Sequence, residues 1–397
     1  MKLTKNIITA SLLSIALTGC GGGSSSNSSA PAPTTPPVVV DNGEFTFDAT
    51  NMIDNLTNNV IVAGYQSLND KAQAFHASTV TLLNAPTADA LEAAKQAWQD
   101  VRVPWEQGEA HIFGPVDALS IDPHLDTWPL NTSDLQALLA TGANFNATDL
   151  ASWNDDVQGF HTMEFLLFGD GIADNHNPID DVTALEVEYL VAAAEVFQNH
   201  TQSLYDAWVV RRDANDVNSP AYKDLLLTPD NDVYASSLGV VEELINGMIG
   251  IVDEVGNGKI AEPFGSSIQD SDTSLVESQY SWNSLADFTN NIKGVQLVYR
   301  GELAGDADQA GIIDFVTAAD ATVASRIDTQ ISAAIAAIAA IAGGVEAGVE
   351  DSANMPFRQA ISDPDARVRI QTAIEALTLL QASLENDVLT LLTKWQA

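Results

Sequence analysis

Apolar residues recur at three- and four-residue spacing over 91–103, 151–168, 184–212, 236–254, 284–299, 312–341 and 367–395, and the alternation of a half-buried strand is nearly absent. One face of a helix comes round every three to four residues, so this period commits those segments to amphipathic helices. Asp363-Pro364 places a cap and a proline where the last helix opens, and Gly169 and Gly343 stand where helices should stop. Helices that each bury one stripe must bury it against one another. The expected fold is therefore all-α: two helical-bundle halves packed together with a site between them. The polar stretch 213–232, with Pro220 and Pro229, reads as the link, which gives a first bundle over 44–215 and a second over 216–397. Residues 256–274 show no periodicity and read as an irregular loop, long enough to suggest a functional one.

Cys20 is the only cysteine, so no intramolecular disulfide forms and packing alone must hold the helices. Lys2 and Lys5 precede the apolar run 7–17, too short to span a bilayer, and Leu17-Thr18-Gly19-Cys20 follows. This resembles a bacterial lipobox. The expectation is a lipoprotein signal peptide over 1–19, cleavage before Cys20 and lipid on its thiol. Residues 20–43, rich in Gly, Ser, Pro and Thr, then make a flexible tether. The protein is expected to be exported and lipid-anchored at the cell envelope, at the outer membrane facing the periplasm or the cell surface. It would touch the membrane only through that anchor, since no later stretch is long and apolar enough for a membrane helix.

A formal net charge of −38 repels nucleic acid and anionic headgroups and gathers cations weakly. Nucleic acid is thereby excluded as a partner, although most of these charges are accounted for by solubility.

Chemistry concentrates in three places. In Gly159-Phe160-His161-Thr162-Met163-Glu164 an imidazole and a carboxylate stand three residues apart, on one face of a helix. Such a pair begins a metal site or an acid/base pair, or else forms a satisfied structural hydrogen bond. Upstream, Trp98, Arg102, Trp105, Glu106 and Glu109 form one helical stripe, interrupted by Pro104, where the helix is expected to kink or restart. The plainer alternative is an Arg102–Glu106 surface pair above two core tryptophans. Trp128-Pro129 follows a turn-rich stretch and can wall a pocket. In the second half, Glu277, Ser281, Asn283 and Asp287 crowd the mouth of a helix, where capping by Ser281 or Asn283 is the simplest role. Motifs of zincins, serine hydrolases, phosphate-binding loops and dinucleotide folds are absent.

Taken in order, Gln96-Ala97-Trp98, Arg102-Val103-Pro104-Trp105-Glu106-Gln107-Gly108-Glu109, Phe113-Gly114, Trp128-Pro129 and 159–169 resemble the imelysin-like family, whose signature is Gly-x-His-x-x-Glu. That family includes a bacterial protease described as insulin-cleaving, iron-regulated surface proteins and relatives of periplasmic iron-uptake proteins. Two departures stand out: His111 replaces an aromatic or branched residue, and the second-half block around Glu277 and Ser281 is loosely kept. The resemblance implies an all-helical protein of two bundle-like halves. It implies a site that includes His161, Glu164, Arg102 and Glu109, with Glu277 and Ser281 joining from the second half and Trp105 and Trp128 as walls. His161, Glu164 and Glu109 are then the candidate metal ligands, while Glu164 and Arg102 are the candidate catalytic base and oxyanion partner. A carboxylate-rich set with one imidazole suits iron or zinc, calcium less. The expected function is binding of a metal ion, iron first, or of a metal chelate, for acquisition. A metallopeptidase acting on peptides is the alternative, and a lipoprotein that binds another envelope protein comes third.

Overall fold

The structure, a computed structural model, describes residues 43–142, 144–302, 309–343 and 355–396. The leader, most of the tether and Cys20 lie outside the described residues. Helices account for the architecture, and among the described residues the only strand-like pairing is an isolated bridge between Phe45 and Trp395. None of the described helices is long and apolar enough to cross a membrane.

The main helices are α1 (Ala63–Asn84), α2 (Ala88–Gly108), α3 (Ile121–Asp126), α4 (Gly159–Phe168), α5 (Ala184–Val209), α6 (Ser237–Asp253), α7 (Ser284–Arg300), α8 (Ile312–Ala340) and α9 (Pro364–Ser383). Helix α1 packs on α2 and α5, and α4 lies against α2 and α5. Further along the chain α8 packs on α7 and α9, and α6 on α7 and α9. Helix α2 also packs on α7, and the 3₁₀ turn Glu109–His111 packs on α6. One hydrophobic core runs through all of it.

The stripe on α2 shows how the sequence does this. Leu91, Ala94, Trp98, Val101 and Trp105, at steps of three and four, are all buried. The helix runs through Pro104 as one element from Ala88 to Gly108, so it does not restart there. An internal proline loses a hydrogen bond and costs about 3 kcal/mol, but burial of Trp98, Val101 and Trp105 on either side offsets it. Gly294 sets the closeness of the α2–α7 crossing, because a Cβ there would overlap the Gln107 carbonyl.

Three segments differ from the sequence reading. The helix expected over 151–168 begins only at Gly159, after a 3₁₀ turn at Asp155–Val157. Thr50–Asn55 and α1 are helical although the sequence reading does not include them. The buried face of α1 runs Tyr65, Leu68, Ala72, Phe75, Thr79, Leu82, with polar Asn69 and Thr79 interrupting the apolar signal. The π-helical Leu56–Val62 breaks the phase between the two helices. The stretch expected as an irregular loop from 256 begins as helix: α6 continues into the π-helical Glu254–Ala261 and a turn at Glu262–Phe264. Gly256 and Gly258 had suggested a loop, yet Val255 and Ile260 are buried and hold the turn in place.

Candidate functional site

Arg102 organises the site. Its side chain is wholly buried, projecting from α2 with the guanidinium 4.5 Å from the Phe160 ring centre. Nη1 donates to Asp126 Oδ1 at 2.7 Å and Nη2 to Glu277 Oε1 at 2.7 Å. Nη2 also touches Glu106 Oε1 and lies 3.4 Å from Asp287 Oδ2. A second cation comes from the π-helical turn after α6. Lys259 Nζ is 2.8 Å from Glu109 Oε2, 3.3 Å from Glu277 Oε2 and 3.5 Å from Glu106 Oε2. Asn291 on α7 donates to both Glu106 and Glu109.

His161 and Glu164 do share one face of α4, and Nδ1 lies 3.0 Å from Glu164 Oε2. The other carboxylate oxygen, Oε1, accepts three donors: the Tyr280 N–H at 3.0 Å, the Ser281 N–H at 2.7 Å and the Ser281 hydroxyl at 2.7 Å. Glu164 thus stitches α4 to a segment more than a hundred residues away. Ser281 spends its hydroxyl here rather than capping α7, and the Asn283 side chain donates instead to Asp287 at 2.7 Å. Gly159 opens α4 at φ +73°, and a Cβ there would meet the Leu125 carbonyl at 2.5 Å. Gly159→Ala is therefore expected to lower stability by about 1–2 kcal/mol from the backbone alone, and more from the clash. Urea unfolding checks this, and an unchanged midpoint would refute it.

The imidazole's remaining nitrogen is the unusual atom. His161 is 1% exposed, and its Nε2 has no hydrogen-bond partner. Asp126 Oδ1 lies 3.0 Å away as an ion-pair partner for the protonated ring. The ring of Trp128 stands edge-on to His161 at 4.6 Å. Asp126 itself is held by Trp105, whose Nε1 donates to Oδ2 at 2.6 Å. Trp105 therefore positions a carboxylate rather than walling a pocket, whereas Trp128 lines a cleft of about 340 Å³ together with Glu109, Asp126, Lys259 and Glu277.

The electrostatics are those of too many acids. Six carboxylates (Glu106, Glu109, Asp126, Glu164, Glu277 and Asp287) face Arg102, Lys259 and one imidazole. Burial, with Glu106, Glu254 and Glu277 nearby, pushes Glu109 well above the usual carboxylate range, and burial drives Asp287 up to about 8. Asp126 goes the other way: burial would raise it, but Arg102, His161 and Lys259 hold it well below. Burial disfavours the imidazolium of His161, yet Asp126 and Glu164 outweigh it and raise the ring to about 9.

Among the described residues two groups of three bring ligand atoms within 4.8 Å of one another: Asp126, His161 and Glu277, and Glu106, Glu277 and Asp287. The second group is already filled by the Arg102 guanidinium. His161, Glu164 and Glu109, the trio taken from the sequence, do not form such a group. Both Glu164 oxygens are engaged within the protein, and Glu109 sits at Lys259. Asp126 and Lys259 were not singled out from sequence. Asp126 ends a helix two residues before Trp128-Pro129, inside a stretch that reads as turn, and Lys259 falls in the stretch without periodicity.

The result is an all-helical protein that gathers carboxylates around two buried cations and one histidine. The chain belongs to the imelysin family (peptidase M75), whose profile matches residues 61–384. It is 28% identical over 341 residues to iron-regulated protein A of Synechococcus elongatus, covering 85% of each chain. Among solved structures it is similar to an iron-regulated protein A precursor from Parabacteroides distasonis, at 29% identity and a TM-score of 0.73, covering 87% of this chain and 94% of that one. An imelysin-like protein from Psychrobacter arcticum shares the fold at 15% identity and a TM-score of 0.64, covering 88% and 98%.

Proposed function

We propose that this protein binds an iron ion through Asp126, His161 and Glu277 at the inner end of the acidic cleft. In this reading it takes part in metal acquisition at the cell envelope, held by lipid on Cys20 and the tether of residues 20–43. The observation that carries the reading is His161 Nε2, buried, without a hydrogen-bond partner and 3.0 Å from Asp126 Oδ1. Two ligand atoms on an ion about 2.1 Å from each stand about 3 Å apart across a right angle. The surplus of carboxylates supports the same conclusion, since a field that raises the imidazole's proton affinity also favours a metal cation. One imidazole with two carboxylates suits iron, zinc or manganese, and the name of the Synechococcus relative favours iron among them. Glu164 holds the ring through Nδ1, as partners of metal-bound histidines commonly do.

The metallopeptidase reading finds less support. It needs a free base beside the ion and a donor for the oxyanion. Glu164 already accepts three donors on one oxygen and faces His161 with the other, and Arg102 is enclosed by four carboxylates.

The test is metal content by mass spectrometry after incubation with Fe(II) or Zn(II) and desalting. About one equivalent per chain is expected. His161→Ala and Asp126→Asn should each weaken binding about 100-fold or more, and Glu164→Gln about tenfold, through loss of ring orientation. Metal retained in full by the first two variants would sink the assignment. An absence of metal in the unaltered protein would turn attention to a partner-binding role.

A further inference from the structure

The two buried cations of the site are not equivalent. Arg102 has no exposed surface, lies over the Phe160 ring and faces four carboxylates through its two terminal nitrogens. Lys259 reaches in from the rim. Its side chain is 9% exposed, and it lines the cleft beside Glu254 and Glu262. It also stands on the π-helical Glu254–Ala261, a distortion that occurs disproportionately at functional sites. An ammonium on a flexible four-carbon stem, with three rotatable donors, changes partners more readily than a forked guanidinium.

Glu277 is the residue at which the two cations differ. Its Oε1 is taken by Arg102 at 2.7 Å, and Oε2 is nearest Lys259 at 3.3 Å. A metal ion at Asp126 and His161 that recruits Glu277 must recruit the oxygen facing Lys259. The ion then crowds both resident cations, Arg102 at Asp126 Oδ1 and Lys259 at Glu277 Oε2. Like charges this close repel strongly where the dielectric is low, so the more mobile of the two leaves. Arg102 has no route out, whereas Lys259 opens onto a cleft with carboxylates along its wall to receive it.

We infer that Lys259 is an exchangeable counter-ion and the selectivity residue of the site: an entering cation displaces its ammonium from Glu106, Glu109 and Glu277 into the cleft. This rests on the metal-binding reading above. A monovalent ion brings no more charge than the ammonium it replaces and forfeits that ammonium's hydrogen bonds. Only a di- or trivalent ion gains by the exchange.

Lysine footprinting of the full protein tests this directly. The chain is acetylated briefly with and without saturating Zn(II), and the same samples are assayed for bound metal. Exposed Lys293 on α7 serves as the internal reference. Lys259 should be protected without metal and should gain reactivity about tenfold when loaded, as expected for an ammonium leaving a buried ion-pair network. Stoichiometric metal with Lys259 still protected would overturn the inference and leave the metal site standing. Failure to bind metal at all would overturn both. In Lys259→Met, Zn(II) should bind about tenfold more tightly, a gain of about 1.4 kcal/mol, and 0.2 M K⁺ should compete, whereas the unaltered protein ignores it. Unchanged affinity and no competition would also overturn the inference.

Discussion

Arg102→Gln is expected to cost about 3–5 kcal/mol at neutral pH, as breaking a buried ion pair by removing one partner does. The loss does not come from the missing attraction alone. Asp126, Glu106, Glu277 and Asp287 all face this guanidinium from buried positions, and without it only Lys259 and the His161 imidazolium beside Asp126 remain to oppose them. Arg102→Lys should rescue only in part, since one ammonium cannot reproduce the fork that holds Asp126 on one nitrogen and Glu277 on the other. The pH dependence gives a second readout. With the guanidinium gone, the pKa values of the facing carboxylates rise in the folded state above their unfolded values, as Asp287, at about 8, already does. The folded variant then binds more protons than the unfolded chain, so its stability grows as pH falls. The urea midpoint of Arg102→Gln should therefore rise between pH 8 and pH 6. A variant that keeps the parental midpoint at pH 8 would show that the cluster is not held by this residue.

How much of this was legible in the sequence depends on whether a residue's role is local. His161 and Glu164 are three apart on one helix, so their meeting could be read from spacing alone. Trp98, Arg102 and Trp105 declared themselves by period, and the period of seven segments was enough for the all-α fold. Glu277 and Ser281 were named as a polar cluster, but nothing local says that Ser281 would reach Glu164 or that Glu277 would reach Arg102. Those contacts span more than a hundred residues and exist because α2 and α7 cross closely at Gly294. Asp126 was illegible for a related reason: its value comes from Trp105 and Arg102 on another helix, while its own neighbours spell a turn. Lys259 was hidden by the π-helical turn, whose extra residue destroys the three/four pattern that marks a helix. Glu164 shows the opposite error. Its spacing from His161 suggested a shared ion, yet tertiary donors claim Oε1 and leave it to orient the ring.

His111→Phe should make the protein markedly more resistant to acid. His111 replaces the aromatic or branched residue expected from the family pattern, and it is buried in the 3₁₀ turn after α2, its ring edge-on to Tyr65 at 5.2 Å. Burial lowers its pKa from 6.5 to about 4, only slightly opposed by a hydrogen bond to its own backbone. The folded protein thus binds fewer protons at this site than the unfolded chain. The contribution to stability is full above pH 6.5 and is lost as pH falls toward 4, a total of about 3 kcal/mol. Phenylalanine has no proton to take up and can extend toward the neighbouring cavity of about 210 Å³ that His111 lines, but it gives up the 3.2 Å hydrogen bond between His111 Nδ1 and the Tyr65 hydroxyl. The Tyr65 hydroxyl still donates to the residue 111 carbonyl, now at 3.2 Å. At pH 7 the larger ring and the lost hydrogen bond should leave the variant behind by about 1 kcal/mol. Between pH 7 and pH 4.5 it should lose about 2–3 kcal/mol less stability than the unaltered protein, read from the urea midpoints at the two pH values. Other carboxylates titrate in the same window, but they do so in both proteins and cancel in the comparison. Parallel loss of stability in the two proteins between pH 7 and pH 4.5 would show that His111 takes up its proton without unfolding cost.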